Sequence, residues 1–205
     1  MSVTYAKNLL VLGVLTLLVS VAEASETILP ITSAEVARVA EGERLVSGEP
    51  GDVNRGVVIG LVNAPVAEVD AILQDVGNHD QWFPDTNNTV VISSEGASMR
   101  FSGETEVPVL RDRQWTNDGT RSTQTFNGVE CVVFTYEMVP GTGNMDELFG
   151  YWLLCPHDAS GGTIVKYVIN ADLGIPLPNA LLNWAARRML PGVIDGLQAR
   201  HDATR

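Results

Sequence analysis

The spacing of apolar residues changes character several times along the chain, and each change marks an element. An apolar-rich run over 9–21 comes first. Val36, Val39 and Ala40 then recur at helical spacing behind Thr32-Ser33-Ala34-Glu35. That is a capping-box sequence, in which the hydroxyl serves an orphan amide and Glu answers three residues on. Gly42 predicts the end of this helix, and Gly48-Glu49-Pro50-Gly51-Asp52 a turn. Residues 55–62 are short and β-branched, which predicts a strand stopped by Asn63-Ala64-Pro65. Pro65 suits a helix start, and Val66, Val69, Ile72 and Leu73 follow at helical spacing to about Val76.

After the segment Asn78-His79-Asp80-Gln81-Trp82-Phe83-Pro84 the period falls to that of strands. The expected strands are 89–93, 99–107, 113–117, 120–126, 129–139, 147–155 and 163–171. Turn signals separate them at Asn117-Asp118-Gly119, Asn127-Gly128, Pro140-Gly141-Thr142-Gly143-Asn144 and 158–162. Residues 178–200 return to helical spacing. Leu182, Ala186, Met189, Leu190, Val193, Ile194 and Leu197 share one arc, with Arg187, Arg188, Asp195 and Gln198 opposite. Pro191 inside this helix predicts a kink, because it cannot donate to the carbonyl of residue 187.

The turns fix registers. Asn127-Gly128 tolerates positive φ at both positions and predicts a two-residue hairpin. It sets Gln124 opposite Cys131 and Ser122 opposite Val133. A turn centred near Gly143 sets Cys131 opposite Cys155. A third, near Ala159, sets Leu153 opposite Val165 and Tyr151 opposite Tyr167. One face then carries Thr120, Cys131, Phe149 and Ile169 together with a set of candidate pocket residues. Those candidates are Ser122, Gln124, Val133, Thr135, Tyr151, Leu153, Val165 and Tyr167. The other face carries Arg121, Thr123, Thr125, Glu130, Val132, Phe134, Tyr136, Trp152, Lys166 and Asn170, and its charges assign it to solvent. The first face, apolar with scattered hydroxyls, reads equally as a solid core under the helix or as a pocket wall. As a pocket it would be completed by Leu182, Met189 and Val193 of the helix, with Arg113 as its candidate polar contact.

Composition narrows the function classes. The 205 residues, 45% of them hydrophobic, suit one domain with an appendage. Lys and Arg total 13 against 25 Asp and Glu, a net charge of −12. With no basic cluster, the sequence excludes a phosphate-tracking nucleic-acid binder. Lys7, the apolar run and Ala22-Glu23-Ala24 make a positive start, an apolar core and a small-residue exit, the pattern of a secretory signal peptide. As a helix the run rises about 20 Å, short of a roughly 30 Å hydrocarbon core. The expected division is therefore 1–24 signal peptide, 25–52 N-terminal extension with a short helix, and 53–205 main domain. The mature protein is expected to be exported, to periplasm or medium, with no stable membrane anchor. In an oxidising compartment Cys131 and Cys155, opposed across two strands, are placed to bridge; two packed thiols are the alternative.

Catalytic signatures are few. There is no H-E-x-x-H, C-x-x-C, G-x-S-x-G or P-loop sequence, so no metal site and no cofactor are expected. His157 and His201 read as solvated; His79 reads as a surface helix-end histidine or, beside Trp82 and Phe83, as a tunnel-mouth residue. Arg111-Asp112-Arg113 is either an exposed charge cluster or, through one Arg, a clamp for a carboxylate or phosphate.

The order strand, helices, long antiparallel meander and C-terminal amphipathic helix resembles the START-like superfamily of lipid-transfer domains and polyketide cyclases. The residues that carry the likeness are Val62-Asn63-Ala64-Pro65-Val66-Ala67-Glu68-Val69, the segment 75–84 ending Gln81-Trp82-Phe83-Pro84, and Pro108-Val109-Leu110-Arg111-Asp112-Arg113. Gly150-Tyr151-Trp152, Thr163-Ile164-Val165-Lys166-Tyr167 and the stretch 172–178 continue it, over about residues 45–203. The resemblance implies an α+β helix-grip fold, a curved antiparallel sheet gripping a long C-terminal helix. It implies a tunnel between them for a lipid or other hydrophobic small molecule, in a carrier without catalytic machinery. The alternative it implies is a cyclase or aromatase acting on a bound polyketide or steroid, with Tyr151, Tyr167, Arg113 and His79 as acid–base candidates.

Overall fold

The computed structural model describes residues 26–51, 53–107, 110–175 and 178–205, with the side chains of 179–185 excepted. The expected signal peptide lies outside the described residues. Eight strands form one antiparallel sheet: β1 (Leu45–Glu49), β2 (Asn54–Val62), β3 (Thr86–Glu95), β4 (Ser98–Thr105), β5 (Arg113–Phe126), β6 (Val129–Met138), β7 (Glu147–His157) and β8 (Gly162–Asp172). Their order is β1-β2-β8-β7-β6-β5-β4-β3. Helix α1 (Ser33–Ala40) precedes β1, α2 (Val66–Gln74) and a 3₁₀ turn (Val76–Gln81) link β2 to β3, and α3 (Asn179–Ala203) closes the chain. The chain folds as the helix grip that its sequence order implies.

Helix α1 begins as its capping box dictates: Thr32 Oγ1 accepts from the Glu35 amide at 3.2 Å, and Glu35 accepts from the Thr32 amide at 2.7 Å. Helix α3 runs without interruption through Pro191. The β5–β6 and β6–β7 registers are those expected from the turns, with Gln124 opposite Cys131 and Val133 opposite Leu153. Cys131 and Cys155 form a disulfide, their Cα atoms 4.5 Å apart.

Three expectations need correction. Asn117-Asp118-Gly119 is no turn but the middle of β5, where Asp118 pairs with Arg100 at 2.7 Å. The turn cluster near Gly48 hides the end of the edge strand β1. The third correction matters most. The β7–β8 turn is one residue longer than expected, so Trp152 rather than Tyr151 opposes Tyr167, and Leu153 opposes Lys166. A one-residue slip moves every side chain of β8 to the other face relative to β7.

Both faces of the sheet are covered in consequence. Against the front lie α2, the 3₁₀ turn and α3, meeting Val58, Val132, Phe134, Trp152, Leu154 and Val165. Against the back lies the N-terminal segment, whose Ile31 and Val39 close a second core with Val57, Cys131, Val133, Tyr151 and Leu153. Polar bonds fasten that segment. The Leu29 amide donates to Tyr151 Oη at 3.3 Å, Lys166 Nζ donates to the Leu29 carbonyl at 3.2 Å, and Glu26 meets both Arg55 and Asn170.

Candidate functional site: an aromatic cavity under the C-terminal helix

Between the front of the sheet and α3 lies a cavity of about 270 Å³. Its shape follows from glycines placed where rings must lie flat on the sheet. Gly103 of β4 opposes Trp115, and a Cβ there would stand 2.6 Å from the indole. Gly119 of β5 leaves room for Phe134, whose ring would be 2.4 Å from an added Cβ. Gly150 opposes Tyr136 and spares its hydroxyl a clash at 2.7 Å. Glycine inside a strand is otherwise unfavourable, and it is kept where another group must come close. These three glycines turn large rings inward without filling the space above them.

The 3₁₀ turn closes one side. Phe83 meets Trp152 and Tyr167 edge-on, with ring centres 5.8 and 5.7 Å away, and Trp152 tilts against Tyr167 at 4.2 Å. Phe101, Trp115 and Phe134 make a second aromatic group. Met189, Leu190 and Val193 of α3 form the roof.

The polar groups in these walls are few. Tyr136 Oη donates to the Val168 carbonyl at 3.0 Å and lies 3.2 Å from Tyr167 Oη. Burial, which disfavours the phenolate, raises the pKa of both tyrosines above the ordinary value. His79, half-buried at the cavity wall, donates from Nε2 to the Leu73 carbonyl at 3.0 Å. Desolvation among the rings of Trp82 and Phe83 lowers its pKa to about 4 against the smaller opposing pull of that carbonyl. The ring is neutral at pH 7, with its proton on Nε2 and Nδ1 an acceptor. Arg113 and Asn117, both buried, point from β5; Arg113 Nε and Asn117 Oδ1 have no hydrogen-bond partner among the described residues.

The sequence-derived candidates divide. Arg113, Tyr167, Met189 and Val193 border the cavity. Val165 lies on the same face, in the packed core beneath α3. The side chain of Leu182 lies outside the described residues. Ser122, Gln124, Val133, Thr135, Tyr151 and Leu153 are on the back of the sheet: Val133, Tyr151 and Leu153 sit in the core under α1, while Ser122 and Gln124 are exposed. Charge misassigned the faces. Arg121 points to the front, where Asp70 of α2 accepts from its Nε at 2.9 Å, and Lys166 points to the back, beneath Leu29. Phe134, Tyr136 and Trp152, assigned to solvent from the sequence, are the cavity wall.

The other histidines differ from expectation in one case. His157 bonds Ser160 in its turn, but His201 is buried, its Nε2 2.7 Å from Glu68 of α2. Of the Arg111-Asp112-Arg113 cluster, the first two are exposed and only Arg113 turns inward. Among the described residues no three His, Cys, Asp or Glu side chains group as metal ligands.

Comparison with known proteins agrees with this architecture. The structure is similar to a STAR-related lipid transfer protein from Xanthomonas axonopodis, at 16% identity and a TM-score of 0.63 over 78% of this chain and 98% of that one. It is similar also to human StAR-related lipid transfer protein 5, at 14% identity and a TM-score of 0.61 over 83% and 93%. The Zhui aromatase/cyclase from Streptomyces sp. R1128 matches at 16% identity and a TM-score of 0.56, over 73% and 94%. At such identities the likeness is one of fold. A comparison with curated protein sequences gives no match. Residues 62–198 match the sequence family described as polyketide cyclase/dehydrase and lipid transport, and the chain belongs to that family.

Proposed function

We propose that this chain is an exported binding protein that carries one small hydrophobic molecule in the cavity between its sheet and α3, without chemistry of its own. The observation that carries this reading is the cavity itself: about 270 Å³, walled by rings and aliphatic chains. That is just below the roughly 300–1,000 Å³ usual for small-molecule sites, and suits a single-chain or small-ring guest rather than a two-chain lipid. The likeness to proteins named for lipid transfer supports it. Export rests on residues 1–24.

The titration of the wall supports carriage over catalysis. A general acid or base works best with a pKa near the working pH. Tyr136 and Tyr167 are held protonated, and His79, at about 4, is a weak base. Of the acid–base candidates named from the sequence, Tyr151 is on the other side of the sheet.

The test is to purify the mature protein, extract it with organic solvent and identify the extract by mass spectrometry. Binding is then measured with a neutral fluorophore, N-phenyl-1-naphthylamine. A co-purifying apolar compound and saturable uptake are expected; neither appearing would overturn the reading. Export is checked separately, by N-terminal sequencing of protein recovered outside the cytoplasm, with Ser25 expected first.

A further inference from the structure

The buried arginine of the cavity wall has no counter-ion among the described residues. Arg38, Arg44, Arg55, Arg100, Arg121 and Arg200 form ion pairs, and their side chains are 22–60% exposed. Arg113 is only 8% exposed, and no carboxylate among the described residues lies within ion-pair distance of it. Its Nε is sealed from solvent without a hydrogen-bond partner among the described residues. Of the carboxylates among the described residues, only Glu49 borders the cavity; it stands on the exposed end of β1 and makes no pair with Arg113. This inverts the usual distribution, in which the more deeply a charge is buried the more completely it is paired.

We propose that Arg113 is the counter-ion for the guest, which is therefore an apolar molecule carrying one oxyanionic head group; this rests on the reading of the cavity as a ligand site. Arg113 is the first residue of β5, paired with Thr105 at the end of β4. Val107, Met145, Leu148 and Leu173 border the same cavity. The aromatic residues that follow, Trp115 on the same strand and Phe134 on the next, continue the wall inward from this charge. A head group at Arg113 thus leaves the tail along the rings. The guanidinium presents a planar fork that matches a carboxylate or phosphate with two parallel hydrogen bonds, which a neutral hydroxyl or ester cannot reproduce. Burial in an apolar wall strengthens that preference, since the ligand charge replaces water that the site largely excludes.

The experiment is competition against N-phenyl-1-naphthylamine by three ligands with the same ten-carbon tail: undecanoate, decyl phosphate and decanol. The full mature protein and its Arg113→Gln variant are compared. Either anion is expected to bind wild-type protein about tenfold or more tightly than decanol. The stronger anion identifies the carboxylate or phosphate source. In Arg113→Gln the preference for either anion over decanol should vanish. Equal affinity of anions and decanol for the wild type overturns this inference and leaves the carrier reading intact. Failure of all three and of the fluorophore overturns both. Should Arg113→Gln not fold, the wild-type comparison decides alone.

Discussion

A Cβ at Gly196 would stand 2.1 Å from the carbonyl oxygen of Trp82. One turn earlier, a Cβ at Gly192 would meet Pro84 at 3.0 Å. The two glycines let α3 lie directly on the segment that carries Phe83 to the cavity. Alanine in a helix normally stabilises relative to glycine by up to about 1 kcal/mol. At position 196 the sign should reverse, because the obstacle is backbone. Gly196→Ala is expected to cost about 1–3 kcal/mol, as overpacking does. It should also change the near-ultraviolet circular dichroism as Trp82 shifts. Urea denaturation measures the first, and an unchanged or higher midpoint would show that α3 does not seat this closely.

The order of elements was readable in the sequence because periodicity reports it directly: the α1 cap, the Asn127-Gly128 hairpin and the apolar arc of α3 are local signals. The side of the sheet that holds the cavity was not. Assigning Arg121 and Lys166 to solvent presumes that one face is wet. Here the N-terminal segment buries the back around Tyr151 and Leu153, while α2 supplies Asp70 to Arg121 at the front. A turn one residue longer than expected then carried Tyr167 to the side of Trp152. The usable signal was in the glycines. Gly103, Gly119 and Gly150 interrupt strand patterns, and each marks an aromatic side chain pressed against the sheet.

His79 makes stability depend on pH in a defined window. Its pKa is about 4 in the folded protein, against about 6.5 in an unfolded chain. Above pH 6.5 both states are neutral and the histidine contributes nothing pH-dependent. As pH falls from 6.5 towards 4, the unfolded chain takes up a proton that the folded one refuses, so stability is lost. The loss is at most about 3 kcal/mol. His79→Gln can still donate to the Leu73 carbonyl but does not titrate, and should flatten this part of the stability profile. Nuclear magnetic resonance titration of the His79 ring gives the direct check. A midpoint near 6.5 would refute it.

Asn117 is 3% exposed, and its Oδ1 lacks a hydrogen-bond partner among the described residues. Leucine has a similar size and leaves nothing unsatisfied. Asn117→Leu is expected to stabilise the ligand-free protein by about 1–2 kcal/mol. It should also tighten binding of a wholly apolar probe, since the amide need not be stripped of water. Urea denaturation and fluorophore titration measure the two effects. A loss of stability would mean that the amide has a partner in solution.

The disulfide joins the central strands β6 and β7 beneath the N-terminal segment, with Cys131 buried in the back core and Cys155 packed against it. The two residues are 24 apart in sequence, so the bridge closes a loop containing all but the outer ends of the β6–β7 hairpin. Restricting an unfolded loop of that size is worth about 3 kcal/mol by the chain-entropy argument. The Cys131→Ala, Cys155→Ala protein removes the bridge without leaving thiols or unpaired hydroxyls in an apolar site. It should lose stability by about that amount, with the small loss of packed sulfur added. The cavity is on the opposite face and neither cysteine borders it. Affinity for N-phenyl-1-naphthylamine should therefore survive wherever the variant remains folded. A matching loss of affinity at full folding would mean that the two faces of the sheet are coupled through Val133 and Phe134, neighbours on β6 that point to opposite sides.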